Sequence, residues 1–152
     1  MNINVKQNET KEIVIKDNSS LSFMNIIIVG CGKIGTTILT SLLNEGHDIM
    51  AVDTDPEVVA NFSNMYDTMC VCGNGVDCDT LTEAGVEHAE LFVATTGSDE
   101  LNMLSCFLAK RMGAKHTVAR IRNPEYNEQI FQMRDVFGLS LVINPENQTA
   151  IE

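Results

Sequence analysis

The stretch IIIVGCGKIG, residues 26–35, decides the fold of this 152-residue chain. Its first part is a run of β-branched residues, which is typical of a strand buried on both faces. Its second part places Gly30, Gly32 and Gly35 in a Gly-x-Gly-x-x-Gly spacing, and the apolar spacing of a helix follows from residue 33 to residue 44. A strand, a glycine-rich turn and a helix in this order predict the first unit of an α/β fold.

The chain from residue 24 onward alternates strand-like runs with amphipathic helices, a pattern that indicates a parallel sheet with right-handed crossovers. We therefore predict an α/β, Rossmann-type doubly wound parallel six-stranded sheet with the strand order 3-2-1-4-5-6. The predicted strands are residues 25–29, 48–52, 68–72, 91–95, 117–121 and 139–143, and the predicted helices are residues 33–44, 56–65, 77–84, 98–112 and 124–137.

Two terminal stretches stand apart from this alternation. Residues 1–23 are polar, and we predict a loosely attached N-terminal extension there, in which EIVIK at residues 12–16 is able to form a short strand. The last stretch, NPENQTAIE at residues 144–152, is predicted to begin a further helix. We thus expect one domain at residues 24–152 that is cut short after its sixth strand.

The composition excludes several classes of function. The net charge is −11, and an acidic chain repels the phosphate backbone, so general nucleic-acid binding is not expected. No apolar run reaches the roughly 18–20 residues of a membrane-spanning helix, so direct membrane insertion is not expected either. The five cysteines are odd in number and no secretory signal precedes them, which predicts reduced thiols in the cytoplasm. Cys70 and Cys72 are interpreted as buried small side chains, with a thiolate metal site as the weaker alternative.

The three glycines have distinct predicted roles around a phosphate. Gly30 permits the tight strand-to-helix turn, Gly32 leaves room for a pyrophosphate, and Gly35 lets the helix approach the strand. The first backbone N–H groups of the helix then face the phosphates. Lys33 lies inside this loop, where it either reaches a phosphate or is a solvated lysine that opposes the helix dipole.

Asp53 ends the second predicted strand, about 20 residues after the glycine loop. A carboxylate at this place accepts hydrogen bonds from both ribose hydroxyls and repels a 2′-phosphate, which favours NAD over NADP. Asn74 and Gly75 follow the third strand, where they either contact an adenine edge or form a plain turn. Arg120 lies near the end of the fifth strand, where it meets either a ligand phosphate or an acid such as Asp99 or Glu100.

Four stretches together closely resemble one known family, namely IIIVGCGKIG (26–35), AVDTDPE (51–57), residues 73–126 from GNGVDCDT to IRNPEY, and LVINPE (141–146). They are similar to the nucleotide-binding N-terminal domain of Trk-type potassium-uptake regulators, the RCK or TrkA-N domains. The segment AGVEHAELFVATTGSDELNM, residues 84–103, is the specific part of the resemblance, because many dehydrogenases share the glycine loop.

The resemblance implies a cytoplasmic regulatory subunit at the inner face of the cell membrane, whose shape changes with the bound nucleotide and so gates a membrane potassium transporter. It implies NAD(H), ATP, ADP or AMP as ligands, and homodimers that assemble into a ring in the full-length form. It also implies that the domain at residues 24–152 is truncated before a C-terminal lobe. It further implies that an acid at the position of Glu146 helps to bind a divalent cation between subunits in some members, the alternative for Glu146 being a helix-start acid. The candidate site consists of Gly30, Cys31, Gly32, Lys33, Ile34, Gly35, Asp53, Thr54, Asn74, Gly75, Thr95, Thr96, Gly97 and Arg120.

We expect a sensor and not an enzyme. Hydride transfer requires a substrate pocket that faces the nicotinamide and a proton donor or acceptor, which dehydrogenases usually supply from a second domain. A sensor requires only two conformations that bind the nucleotide differently. The alternatives are a fragment of an NAD-dependent oxidoreductase and a dimerisation module with a vestigial site. Which nucleotide, which transporter and which oligomer are involved does not follow from the sequence.

Overall fold

The computed structural model describes residues 2–6, 12–16, 23–139, 141–144 and 149–151, with side chains for residues 23–139 except 127 and 137. The strands are β1 (Asn2–Lys6), β2 (Glu12–Lys16), β3 (Asn25–Val29), β4 (Asp48–Asp53), β5 (Met69–Cys72), β6 (Leu91–Ala94), β7 (His116–Arg120), β8 (Leu141–Asn144) and β9 (Thr149–Ile151). The helices are α1 (Lys33–Asn44), α2 (Pro56–Tyr66), α3 (Cys78–Glu83), α4 (Asp99–Met112) and α5 (Pro124–Phe137), with a 3₁₀ turn at Val86–His88.

The main sheet has seven strands in the order β5-β4-β3-β6-β7-β8-β9. Strands β3 to β8 pair in parallel, which confirms the predicted Rossmann-type doubly wound sheet. Its predicted strands and helices agree with the observed ones to within one or two residues. The chain reverses its direction across the sheet between β3 and β6, and this switch point is where ligands bind in open α/β sheets.

The prediction of a helix at the end of the chain is wrong. Thr149–Ile151 forms the strand β9, which pairs antiparallel with β8 through the partners Val142 and Ile151. The unpaired edge of a parallel sheet offers a row of backbone hydrogen-bonding groups, and β-branched residues suit such a pairing. At the other end of the chain, β1 and β2 pair antiparallel, so the predicted short strand at residues 12–16 is present and has a partner that the sequence did not indicate.

The sheet is covered on both faces, as its apolar strands require. Successive residues of β3 alternate between two cores, since Ile26 and Ile28 belong to one cluster and Ile27 and Val29 to the other. Helices α1 and α2 cover the first face, and α3, α4 and α5 cover the second. Within the part of the chain that the structure describes, no helix has the length and apolar character needed to cross a bilayer.

Candidate functional site at the carboxyl ends of the strands

The carboxyl ends of β3 to β7 open into one cavity of about 660 Å³, a typical size for a small-molecule site. The cavity lies at the switch point of the sheet, between the loops that follow the strands. The residues that line it are Val29, Gly30, Gly32, Lys33, Ile34, Val52, Asp53, Thr54, Gly73, Asn74, Gly75, Thr95, Thr96, Gly97, Leu101 and Arg120.

Every predicted site residue except Cys31 and Gly35 lines this cavity. The thiol of Cys31 is buried in the core on the α1 face, and Gly35 lies against the backbone of the glycine loop, so both act on the site through their backbones. Val29, Val52, Gly73 and Leu101 also line the cavity and were not predicted. Glu146, the candidate cation ligand, lies outside the described residues.

The glycine loop is packed too closely for side chains at two of its positions. Gly30 has a φ of +92°, and a Cβ atom there would lie 2.8 Å from the carbonyl carbon of Thr95 and the nitrogen of Thr96. A Cβ on Gly35 would overlap the carbonyl oxygen of Gly30. Gly32 differs, because a Cβ there would meet nothing within 4 Å. Gly30 and Gly35 thus serve the close packing of strand and helix, while Gly32 faces open space.

Helix α1 begins without the capping group that the other α-helices of the described chain have. Its N-cap is Gly32, which offers no side-chain hydrogen bond, and its first turn has no acidic residue but the cation of Lys33. The other α-helices each have a side-chain cap and an acid in the first turn, the caps being Asp55, Asp77, Ser98 and Asn123. The N–H groups at the start of α1 therefore remain as donors beside the cavity, where the helix dipole also favours an anion.

Asp53 joins the end of β4 to the glycine loop. Its Oδ2 accepts a hydrogen bond from the backbone N–H of Cys31 at 2.8 Å, and its Oδ1 accepts one from the N–H of Asp55 at 2.9 Å. The carboxylate lines the cavity and is half-buried. Because each carboxylate oxygen has two lone pairs, both can still accept a hydrogen bond from a ligand hydroxyl.

Thr95 links the carboxyl ends of β3 and β6 by hydrogen bonds on the cavity wall. Its hydroxyl lies 2.9 Å from the carbonyl oxygen of Gly30 and 3.2 Å from that of Val29, and its N–H donates to the same Val29 oxygen at 2.8 Å. The side chain is buried. Thr95 therefore shapes the cavity chiefly by holding the start of the glycine turn in place.

Asn102 is a site-building residue that the sequence analysis missed. This α4 side chain has no exposed surface. Its Oδ1 accepts from the N–H of Thr96 at 2.8 Å and from the Thr96 hydroxyl at 2.7 Å. Its Nδ2 donates to the carbonyl oxygens of Thr96 at 3.1 Å and of Arg120 at 2.8 Å. The available signal was an amide on the apolar face of a helix, one turn after the Thr-Thr-Gly loop.

Asn74 and Gly75 form a tight turn on the cavity wall. The Asn74 Oδ1 accepts from the N–H of Val76 at 3.1 Å, and a Cβ on Gly75 would lie 2.5 Å from a methyl group of Val29. Of the two alternatives predicted for Asn74 and Gly75, a plain turn and contact with an adenine edge, the turn is present. The two descriptions are compatible, because both residues also line the cavity.

Arg120 ends β7 and lines the cavity. The two acids considered as its partners have other contacts, since buried Asp99 accepts from the N–H groups of Arg122 and Asn123 at 2.9 and 2.8 Å. Glu100 accepts from the hydroxyl of Tyr126 at 2.6 Å. Arg120 lies on the cavity wall, and both predicted partners, a ligand phosphate and an acid, stay open as alternatives.

The cysteines do not form a metal centre in the part of the chain that the structure describes, where no group of three His, Cys, Asp or Glu side chains is close enough to hold an ion. Cys31 is buried beneath the glycine loop. Burial, with smaller contributions from Asp53 and Cys70, raises the pKa of its thiol to about 12. The Cys31 side chain is therefore a neutral core group at physiological pH.

Comparison with known proteins identifies the family. The sequence profile of the TrkA-N domain matches residues 26–145. The chain is 36% identical over 127 residues to a Trk system potassium uptake protein TrkA homolog of Methanothermobacter thermautotrophicus, covering 84% of this chain and 57% of that protein. It is 39% identical over 104 residues to the TrkA protein of Vibrio alginolyticus, covering 68% of this chain and 23% of that one. The matched part of this chain thus spans 57% and 23% of the length of these two relatives.

Solved structures show the same fold at lower identity. The TrkA-N domain of the inner membrane protein ybaL from Escherichia coli superposes with a TM-score of 0.73 at 17% identity, covering 83% of this chain and 90% of that one. The GsuK channel bound to NAD superposes with a TM-score of 0.68 at 20% identity, covering 86% of this chain and 22% of the GsuK chain. GsuK bound to ADP superposes with a TM-score of 0.65 at 23% identity, covering 80% of this chain and 30% of the GsuK chain. With the profile match and the sequence relatives, this confirms the predicted resemblance: the chain belongs to the TrkA-N domain family.

Proposed function

We propose that this domain binds an adenine nucleotide, NAD(H) or ATP, ADP or AMP, and acts as the regulatory sensor of a potassium-uptake system. One observation carries the proposal. The uncapped start of α1 and the carboxylate of Asp53 lie on the wall of the same cavity, at the switch point of the sheet. In this proposal the start of α1 binds a phosphate and the carboxylate binds ribose hydroxyls.

The residues present fit such a ligand. The space beside Gly32 is open, so a phosphate can approach the backbone where any side chain would stand in its way. Lys33, at the cavity mouth, places a cation in the first turn of α1, a position that is unfavourable for a helix unless an anion lies nearby. The bound nucleotide would supply negative charge there, and the N–H groups of α1 would receive it without any side-chain rearrangement.

The relatives supply the biological setting of the proposal. The curated relatives are named as Trk system potassium uptake proteins, and two of the structural neighbours are the GsuK channel bound to NAD and GsuK bound to ADP. By analogy, we propose that a membrane potassium transporter is the partner, that the domain works at the cytoplasmic face of the membrane, and that it acts as a homodimer within a ring. Mass spectrometry of the co-purified ligand and calorimetric titrations, described below, distinguish NAD(H) from the adenine mononucleotides.

We further propose that the site is not catalytic. Asp53 is the carboxylate on the cavity wall, and both its oxygens already accept backbone N–H groups. Those bonds hold the carboxylate in one orientation, which suits ribose binding better than proton transfer. The output is instead conformational. A nucleotide can shift the domain between two conformations only by as much free energy as the difference between its affinities for them, and this difference limits its effect on the transporter.

Native mass spectrometry and isothermal titration calorimetry test the proposal. The mass of any small molecule that co-purifies identifies the nucleotide, and titrations with NADH, NADPH, ATP, ADP and AMP rank the candidates. We expect micromolar binding of at least one of these ligands, and NADH binding at least tenfold tighter than NADPH because Asp53 repels a 2′-phosphate. Absence of binding at millimolar ligand would favour a dimerisation module with a vestigial site, and turnover of NADH with a small carbonyl compound would favour an oxidoreductase.

A further inference from the structure

We propose that Asn102 is a positioning residue for the second half of the cavity, and that through this half the domain distinguishes a dinucleotide from a mononucleotide. The inference rests on the proposed function and assigns a task to a side chain that does not line the cavity. A Rossmann-type site consists of two mononucleotide-binding halves on either side of the switch point. Here Gly32 and Asp53 belong to the first half, and Thr96, Gly97 and Arg120 belong to the second.

The first argument is the way in which the Asn102 amide is used. All four hydrogen-bonding positions of the side chain are occupied, three by Thr96 and one by the carbonyl oxygen of Arg120. Thr96 lies in the loop after β6, and Arg120 is the last residue of β7, where the next loop begins; both residues line the cavity. A buried amide that served only to fill space would be costly compared with an apolar side chain, so its value lies in fixing these two loops relative to each other.

The second argument is that two further bonds hold the same loops together. The guanidinium of Arg122 donates to the carbonyl oxygen of Gly97 at 2.6 Å. The N–H of Arg122 in turn donates to Asp99, at the start of α4, at 2.9 Å. We call this set of contacts, formed by Asn102, Asp99 and Arg122, the loop clamp. It ties the connection between β6 and α4 to the connection between β7 and α5.

The third argument is that the first half of the cavity has its own support. The glycine loop is held by Asp53 through the N–H of Cys31 and by Thr95 through the carbonyl oxygen of Gly30. These bonds involve none of the three loop-clamp residues. A change in the loop clamp should therefore alter the binding of a ligand that extends into the second half, and should leave a ligand confined to the first half unaffected.

Two variants test the loop clamp. Asn102→Asp keeps the size of the side chain and the Oδ1 acceptor but removes the two Nδ2 donors. Arg122→Met removes the donor to Gly97 at a half-exposed position, so it tests the inference even where Asn102→Asp fails to fold. Arg111→Met is the matched control for charge, because Arg111 is exposed in the last turn of α4, roughly 18 Å along the helix from Asp99.

The measurements are calorimetric titrations with AMP and with NADH, together with the fluorescence of the reduced nicotinamide and a thermal melt of each variant. We expect both loop-clamp variants to weaken NADH at least fivefold and to diminish the nicotinamide fluorescence change, with AMP affinity within twofold of the unsubstituted protein. Arg111→Met should change neither affinity. Equal weakening of AMP and NADH, unchanged NADH affinity, or an unsubstituted protein that binds AMP but not NADH would each overturn the inference. An unsubstituted protein that binds none of the nucleotides would instead refute the proposed function.

Discussion

The backbone N–H of Cys31 donates to Oδ2 of Asp53 at 2.8 Å. The bond joins the two elements that the proposed function assigns to neighbouring parts of one nucleotide, the glycine loop to the phosphate and Asp53 to the ribose. Because it crosses from β4 to the turn after β3, it fixes the glycine loop relative to the rest of the cavity. Preorganisation of this kind reduces the ordering that binding must otherwise bring about.

The first prediction concerns Asp53 itself. Asp53→Ala should weaken the binding of an adenine nucleotide by about 1–3 kcal/mol, because ribose hydroxyls and the Cys31 N–H lose their acceptor. The same variant should lower the free energy of unfolding by about 1–2 kcal/mol, since two backbone N–H groups lose their partner. Calorimetry and urea denaturation measure the two effects.

The control for Asp53 is Asp135→Ala, which removes an exposed carboxylate on α5. It changes the net charge by the same amount, so it separates the local contacts from the general field of the protein. We expect it to leave affinity and stability nearly unchanged. Equal affinities for Asp53→Ala and the unsubstituted protein would show that the ribose is not bound at this carboxylate.

The second prediction separates two glycines of one motif. Gly35→Ala should destabilise the fold by about 1–3 kcal/mol, because the new methyl group overlaps the Gly30 carbonyl oxygen. Gly32→Ala should change the unfolding free energy by less than about 1 kcal/mol, because its methyl group meets no protein atom. It should nevertheless weaken nucleotide binding at least tenfold, since the methyl group stands where a phosphate approaches the loop.

Thermal melts and calorimetry on the same two variants provide the check. If Gly32→Ala binds the nucleotide as well as the unsubstituted protein, the phosphate does not lie at this loop. If Gly35→Ala is as stable as the unsubstituted protein, the glycine loop relaxes more readily than its close contacts indicate.

The fold was predictable because its signals are local. The β-branched run at residues 26–29 and the glycine spacing that follows are explained by burial and turn geometry alone, and the helix ends follow from capping residues such as Asp55 and Ser98. The cavity was also largely predictable, since in a parallel sheet the loops after successive strands meet at one edge. Hence residues as distant in sequence as Gly30 and Thr95 could be assigned to one site.

What the sequence did not reveal depends on contacts between distant residues. Asn102 looks like an ordinary polar helix residue until its four hydrogen bonds to Thr96 and Arg120 are seen. The strand β9 was mistaken for a helix start because it forms by pairing with β8. The sequence of a three-residue stretch does not determine such a tertiary contact. The alternation of the chain placed Arg120 at a strand end, but only the fold shows that it lines the cavity.

The third prediction concerns thiol reactivity. The prediction that Cys72 is buried is wrong, because Cys72 is exposed, as is Cys78. Cys31, in contrast, is buried, and the pKa of its thiol is raised to about 12. At pH 8 only roughly one Cys31 in ten thousand is then a thiolate, the reactive form. Iodoacetamide followed by peptide mass spectrometry should show fast labelling of Cys72 and Cys78 and very slow labelling of Cys31.

The same labelling experiment has a ligand-dependent part. The Cys72 thiol lies 3.7 Å from the carbonyl oxygen of Thr54, a residue on the cavity wall. Saturating nucleotide should therefore slow the labelling of Cys72, with Cys78 on α3 as the internal control. Fast labelling of Cys31, or protection of Cys78 equal to that of Cys72, would contradict the described arrangement.

The fourth prediction concerns pH and the cap of α3, the helix that follows the cavity turn at Gly73 and Gly75. The hydroxyl and the N–H of Thr80 donate to Asp77, and these bonds hold the pKa of the Asp77 carboxyl below its usual value. A lowered pKa in the folded state means that the cap stabilises the protein above the ordinary aspartate pKa of about 4, and that this contribution is lost as the pH falls through the folded pKa. Urea denaturation should therefore show Asp77→Ala to be less stable than the unsubstituted protein at pH 7, with a difference that shrinks steadily as the pH is lowered from about 5 to about 2.

Asp77→Asn is the matched control, because an asparagine cap accepts the same bonds without titrating, so its advantage over alanine should stay constant across the range. A gap between Asp77→Ala and the unsubstituted protein that is equally large at pH 7 and pH 2 would mean that the ionised carboxylate is not what caps this helix.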